Sequence, residues 1–251
     1  MNKKPIYKIY AFLIVLIILE AGLLLEKKYR ILTPLIDKMV IERVQYLALT
    51  TKNEHNNTWL GISVLQYPTD LITYADLIYK IKPGTVIETG TYHGGLTLFL
   101  SSVMEHVNPD GKVISIDYYD EHWNNTLKSG KVPAMLAKRI VFIKGDSTSK
   151  TVVKSVLDNI IFGPVIVILD SAHNREHVLK ELNMYSSMVT INSYIIANDT
   201  SWDLTPFRSK GSGPYAAVEE FIVNNQDFEI DKSLPRHFIS SSPSGFLKRL
   251  R

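Results

Sequence analysis

The stretch VIVILDSAHNREH, Val165 to His177, sets an apolar run directly before Asp170 and places His173 three positions further on. A carboxylate near an imidazole can do two kinds of chemistry: hold a divalent cation through oxygen, or take a proton from a hydroxyl near neutral pH. The plainer alternative is a strand running into a loop and a helix cap. Four other apolar runs end on an acid or an amide: Glu88 with Thr89 and Gly90, Asp117, Asp146 with Ser147, and Asn198 with Asp199. Any one of these reads as a cap. Five along one rim would repel one another unless a cation, or a ligand's hydroxyls and amines, shared them.

Such groups need strands to carry them to a common edge. The runs Thr85 to Glu88, Lys112 to Asp117, Ile140 to Lys144, Val165 to Asp170 and Tyr194 to Asn198 suit buried strands, and Leu96 to His106, Lys150 to Ile160 and Arg175 to Met184 carry helical periodicity. This alternation predicts an α/β fold with a doubly wound, mostly parallel sheet covered on both faces. Ligands of such sheets bind outside the carboxyl ends of the strands. The first of those ends, ETGTYHGGLT from Glu88 to Thr97, has glycines for a close backbone approach, although neither G-x-G-x-x-G nor a P-loop is present. Asp117, at the end of the next strand, is suited to accept hydrogen bonds from ribose hydroxyls.

The chain has 251 residues, 45% of them hydrophobic, enough for one sizeable core. Its 28 basic and 25 acidic residues nearly balance, without a dense basic run in the body of the chain, so nucleic acid is not expected as a partner. The absence of cysteine removes disulfides, thiolate metal sites and a cysteine nucleophile. Ile9 to Leu25 is almost continuously apolar, broken only by Glu20 and flanked by lysines, and would span roughly 25 Å as a helix. Residues 1–28 are therefore expected to form an uncleaved single-pass membrane anchor, with a cleaved signal peptide as the competing reading. A helical stalk and polar linker are expected over 29–57, and a catalytic domain over 58–251. Cofactor supply favours a cytosolic catalytic domain, with a lumenal one as the alternative, and self-association into a homo-oligomer stays open. The segments Glu121 to Lys131 and Ser201 to Gly213 read as polar lids, with Tyr118, Tyr119, Trp123 and Trp202 as aromatic candidates for stacking on a sugar or cofactor.

The motifs VIETGTYHGG, VISIDYYD, IKGDS, VILDSAHNREHVLKEL, YIIANDT and GPYAAVEEF, taken in order, resemble the cephalosporin hydroxylase and rhamnosyl O-methyltransferase family. That family belongs to the class I S-adenosylmethionine-dependent methyltransferases, whose sheet is Rossmann-like. The resemblance runs from about Trp59 to Leu250.

What it implies is specific. Glu88, Gly90, Thr91 and Gly94 would hold the amino-acid end of S-adenosylmethionine, Asp117 its ribose, and Asp146 with Ser147 the adenine side. Gln66 and Pro68 would lie near the cofactor or substrate mouth. A Mg²⁺ ion would be held by Asp170, Asn198 and Asp199, where Asn198 stands at a position that sugar-modifying relatives fill with Glu. His173, with Asp170 beside it, would act as the catalytic base on a hydroxyl of a sugar, glycan or glycosylated metabolite. His177 reads as an exposed first-turn residue of the following helix, and His93 as part of the cofactor loop. Two rivals remain: a membrane-tethered binding or scaffold protein that kept the fold while the metal site decayed, and a hydroxylase, against which stands the lack of an H-x-D…H iron triad.

Overall fold

The computed structural model describes residues 4–29, 39, 40, 43, 47, 57–204, 211–235 and 239–251. The chain divides into two compact units, Met1–Val44 and Gln45–Arg251.

In the first unit, α1 spans Lys4–Tyr29. Here the expectation of a single-pass anchor is corrected: among the described residues, no helix is long and apolar enough to cross a membrane. The side chains of α1 that are described run from Phe12 to Leu25. Glu20 interrupts this apolar run. The membrane localisation and the anchor as a partner surface fall with that correction. Most of the stalk and linker expected over 29–57 lies outside the described residues.

The second unit begins with a two-stranded hairpin, β1 (Thr58–Trp59) and β2 (Ile62–Ser63). Leu60 and Gly61 between them both have positive φ, as a tight hairpin turn of right-handed twist requires. Trp59 packs edge-on against Phe99 and donates its indole N–H to Ser102 Oγ at 2.9 Å, which seats the hairpin on the helix behind it.

The remaining elements follow in chain order: α2 (Pro68–Ile81), β3 (Thr85–Thr89), α3 (Gly95–Val107), β4 (Lys112–Asp117), α4 (Glu121–Lys128), α5 (Ala134–Ala137), β5 (Ile140–Lys144), α6 (Lys150–Asn159), β6 (Val165–Leu169), α7 (Arg175–Tyr185), β7 (Tyr194–Ala197), α8 (Pro214–Asn224), β8 (Phe228–Ile230) and β9 (Phe246–Arg249), with short 3₁₀ turns at Ser186–Met188 and Thr200–Leu204. The seven-stranded sheet has the order β5-β4-β3-β6-β7-β9-β8. Strands β3 to β7 pair in parallel, whereas β9 runs antiparallel between β7 and β8. The central strands β3 and β6 are buried along their whole length, which explains the uninterrupted apolar run VIVIL of β6.

Helices α2 and α3 cover one face through Tyr74, Ile78, Leu100 and Met104. On the other face α6, α7 and α8 pack through Val156, Leu182, Tyr185 and Phe221. The chain moves outward from β3 through β4 to β5 and then returns to β6, on the other side of β3. That reversal opens a crevice above the carboxyl ends of β3 and β6, the place where sheets of this kind bind ligands.

Segment 121–131 is not a polar lid. It is mostly α4, whose Trp123 is 3% exposed, stacks on Phe142 and packs with Ile62 and Leu98. Of the other expected lid, residues 205–210 lie outside the described residues.

Candidate active site

A cavity of about 540 Å³ occupies this crevice, within the range of roughly 300–1,000 Å³ common for cofactor and small-molecule sites. Its floor depends on Gly90. This residue has φ +91°, its N–H donates to the Ile116 carbonyl at 2.8 Å, and a Cβ there would stand 2.1 Å from the Asp170 carbonyl oxygen. Only glycine lets the turn after β3 lie so close to the end of β6. Thr91, Tyr92, His93 and Gly95 continue the wall. Gly94 stands behind it, where a Cβ would run into the Trp123 ring.

Asp117 also lines the cavity. Its Oδ2 accepts from the backbone N–H of Tyr92 at 2.7 Å and its Oδ1 from that of Tyr119 at 2.9 Å. Each oxygen keeps a second lone pair for a ligand hydroxyl. Tyr92 is in the left-handed region at φ +47°, an uncommon conformation for a tyrosine. Exposed Tyr118 and Tyr119 stack edge-to-face beside this rim, while Tyr92, His93 and His122 cluster with ring centroids 4.1–4.8 Å apart. Burial, then the neighbouring His122, hold His93 below the usual histidine pKa.

Glu88 is expected at the cofactor but is fully buried beneath the glycine turn and does not line the cavity. Its Oε2 accepts from Thr97 Oγ1 at 2.5 Å and Ser115 Oγ at 2.6 Å, while Oε1 is buried without a partner. Burial pushes its pKa up to about 7, against the pull of those two hydrogen bonds and with a smaller push from Asp117.

Asp146 and Ser147 are also absent from the cavity lining. Asp146 accepts from the N–H and hydroxyl of Thr148, both at 2.8 Å. Ser147 donates to Glu181 Oε1 at 2.6 Å and sits 3.0 Å from His177 Nε2. Glu181 Oε1 also accepts from Ser171 at 2.8 Å, so the carboxylate ties the loops after β5 and β6 together from within α7. His177 is thus not a simple exposed residue; its hydrogen bond to Glu181, opposed by burial, raises its pKa.

In the same cavity the structure brings together Asp170, His173 and Asp199, with one ligand atom from each lying within 4.8 Å of the others. His173 Nε2 is 3.3 Å from Asp199 Oδ2, and the His173 ring stacks on Trp202 at 5.5 Å. Asp199 occupies the left-handed region at φ +60°, a conformation aspartate tolerates better than most residues. Asp170 Oδ2 accepts from Gln66 Nε2 at 2.9 Å, and Gln66 Oε1 is buried without a partner. The pKa of Asp170 lies well above the carboxylate range, first because of burial, then because Asp199 and Glu88 are negative neighbours, with Asn198 and Gln66 opposing the rise. Two carboxylates pressed together in this way suit a divalent cation, which would relieve both burial and repulsion and would find hard oxygen ligands in Asp170 and Asp199.

Asn198, the third ligand expected from the sequence, does not line the cavity. Its Oδ1 accepts from Tyr74 Oη at 2.7 Å and from Ser242 Oγ at 3.1 Å. These partners escaped the sequence reading, as did Asp70. Asp70 is buried at the start of α2 and accepts from Ser240 Oγ at 2.6 Å and the Ser241 N–H at 2.8 Å. Pro68 at the head of α2 and the acid in its first turn signal a helix start, but no local pattern connects α2 to the serine run near the C-terminus.

The family model described as rhamnosyl O-methyltransferase/CmcI matches residues 51–250. A rhamnosyl O-methyltransferase of Mycobacterium leprae (strain TN) is 30% identical over 200 residues, which cover 78% of this chain and 84% of that protein. Another, of Mycobacterium tuberculosis (strain CDC 1551 / Oshkosh), is 27% identical over 197 residues, 76% of this chain and 78% of its own. Among solved structures, an apo structure of CmcI aligns with a TM-score of 0.60 at 22% identity, covering 78% of this chain and 77% of that one. Apo CalS11, a TDP-rhamnose 3′-O-methyltransferase of calicheamicin biosynthesis, aligns with a TM-score of 0.54 at 16% identity, covering 84% and 93%. With four-fifths of its length matched by the family model, the chain belongs to the rhamnosyl O-methyltransferase/CmcI family.

Proposed function

We propose that this protein is an S-adenosylmethionine-dependent O-methyltransferase that methylates a hydroxyl of a sugar, glycan or glycosylated metabolite, with a Mg²⁺ ion at Asp170 and Asp199. The observation that carries the reading is the meeting of Asp170, His173 and Asp199 in the cavity that Gly90, Thr91 and Asp117 also line. The relatives named rhamnosyl O-methyltransferases support the reaction class and a deoxyhexose as acceptor.

When bound, S-adenosylmethionine supplies an electrophilic sulfonium methyl group, and a divalent cation lowers the pKa of a hydroxyl it touches. The chain's own residues then have separable tasks. Asp117 accepts from ribose hydroxyls through the lone pairs its backbone partners leave open. Thr91 and Gly95, on the glycine turn, let the amino-acid end approach the backbone. His173 takes the hydroxyl proton as the new C–O bond forms and the C–S bond breaks. Asp199, 3.3 Å from Nε2, stabilises the resulting imidazolium. Trp202, stacked on His173, limits the orientation of the ring and offers an apolar wall for the acceptor.

The test is methyl transfer from labelled S-adenosylmethionine to a panel of rhamnosyl glycosides and non-deoxy hexosyl glycosides, with Mg²⁺ and with chelator. Label on a rhamnosyl acceptor that disappears with chelator is expected. Binding of the cofactor with no transfer to any hydroxyl would leave the fold in place and sink the enzymatic reading.

A further inference from the structure

Asn198 is 2% exposed, and all the hydrogen-bonding capacity of its oxygen is spent away from the cavity. Tyr74 Oη donates to Oδ1 at 2.7 Å and Ser242 Oγ at 3.1 Å, so both lone pairs are occupied. Tyr74 is 1% exposed within the packing of α2, while Ser242 is 0% exposed and belongs to the run that clasps Asp70. Both hydroxyls are buried, and in the structure both face the oxygen end of the amide. The backbone N–H of Asn198 bonds the Leu169 carbonyl at 2.9 Å, which sets the residue beside the junction from which Asp170 emerges. What remains is Nδ2, buried and without a hydrogen bond of ordinary length. An amide nitrogen has no lone pair for a cation; it has two protons for an anionic oxygen.

We propose that Asn198 is a positioning residue and not a cation ligand: Tyr74 and Ser242 lock its oxygen away from the site, so that its nitrogen is the group presented to the Asp170 carboxylate. The proposal rests on the cation reading above and specifies how this chain holds that site. Gln66 Nε2 grips Oδ2 of Asp170 from α2's side of the cavity, and Asn198 supports the same carboxylate from the strand beside it. Where a glutamate would add a third negative charge next to Asp170 and Asp199, the amide adds a donor, which lowers the mutual repulsion of the two carboxylates when the site is empty. The cation then takes its protein oxygens from Asp170 and Asp199.

Mn²⁺ alone, titrated into the full-length protein and followed by the loss of its free paramagnetic resonance signal, reads the site without turnover. Asp170→Ala is expected to abolish binding. Asn198→Ala and Tyr74→Phe are each expected to weaken it by about tenfold, the usual scale for a group that orients a ligand. Because Tyr74 acts through Asn198, the double variant is expected to be no weaker than Asn198→Ala alone. Asn198→Asp is expected not to tighten binding, since Tyr74 and Ser242 still hold one oxygen while the other replaces the donor facing Asp170 with a repelling charge; Tyr74→Phe keeps the ring volume and guards against a folding defect. Loss of binding in Asn198→Ala as complete as in Asp170→Ala, additive losses in the double variant, or tenfold tighter binding by Asn198→Asp would each overturn the proposal. Absence of Mn²⁺ binding in the unaltered protein would instead remove the cation reading, and this proposal with it.

Discussion

Glu88 and His173 divide the chemistry of the crevice between its buried underside and its open end. Glu88 keeps its proton in the fold to about pH 7, whereas the unfolded chain releases it near the ordinary value of 4.5. The proton therefore stabilises the fold fully below pH 4.5, and that contribution is lost as the pH rises through 7, a change of about 3 kcal/mol from this one group. Denaturant unfolding across this range should show a falling stability that Glu88→Gln flattens; an unchanged slope in the variant would remove the assignment. At the open end, His173→Ala should reduce kcat by about 10²- to 10⁴-fold, the usual worth of a general base, while binding of S-adenosylmethionine and Mn²⁺ stays within a few-fold. Equal loss of Mn²⁺ binding would make His173 a ligand instead.

At the scale of elements, the turns after β3 and β6 form one unit, because the Asp170 carbonyl fills the space that a side chain at Gly90 would need. Gly90→Ala should cost about 2 kcal/mol or more, from overpacking together with positive φ. It should also weaken cation binding by displacing Asp170. A thermal melt paired with a Mn²⁺ titration checks both, and a variant that melts like the unaltered protein would show that the two turns give way independently. The parallel strands were legible in the sequence because burial on both faces demands continuous apolar runs such as VIVIL. Strands β8 and β9 were not, because FEI carries its charge on an exposed position, FLKR on half-buried ones, and the two pair antiparallel toward the sheet's edge. The acids at the strand ends were legible for the same reason as the strands. Which of them reach the cavity was not: Glu88 turns beneath its strand, Ser147 is drawn to Glu181, and the partners of Asn198 lie 124 and 44 residues away along the chain. Long-range hydrogen bonds of this kind leave no local period to read.

Across the whole molecule, the catalytic unit matches its family over 51–250, and the order β5-β4-β3-β6-β7-β9-β8 places every cavity-lining acid at the carboxyl edge of the parallel strands. The apolar N-terminal stretch shows the opposite case. Its composition suggested a membrane span, and the described helix does not provide one. The roles of Gly90, Thr91, Asp117 and His173 all converge on bound S-adenosylmethionine. Isothermal titration of S-adenosylmethionine into the full-length protein, with Mg²⁺ present, should show one saturable site per chain that Asp117→Ala weakens by at least tenfold. No binding, or binding indifferent to Asp117→Ala, would contradict the account.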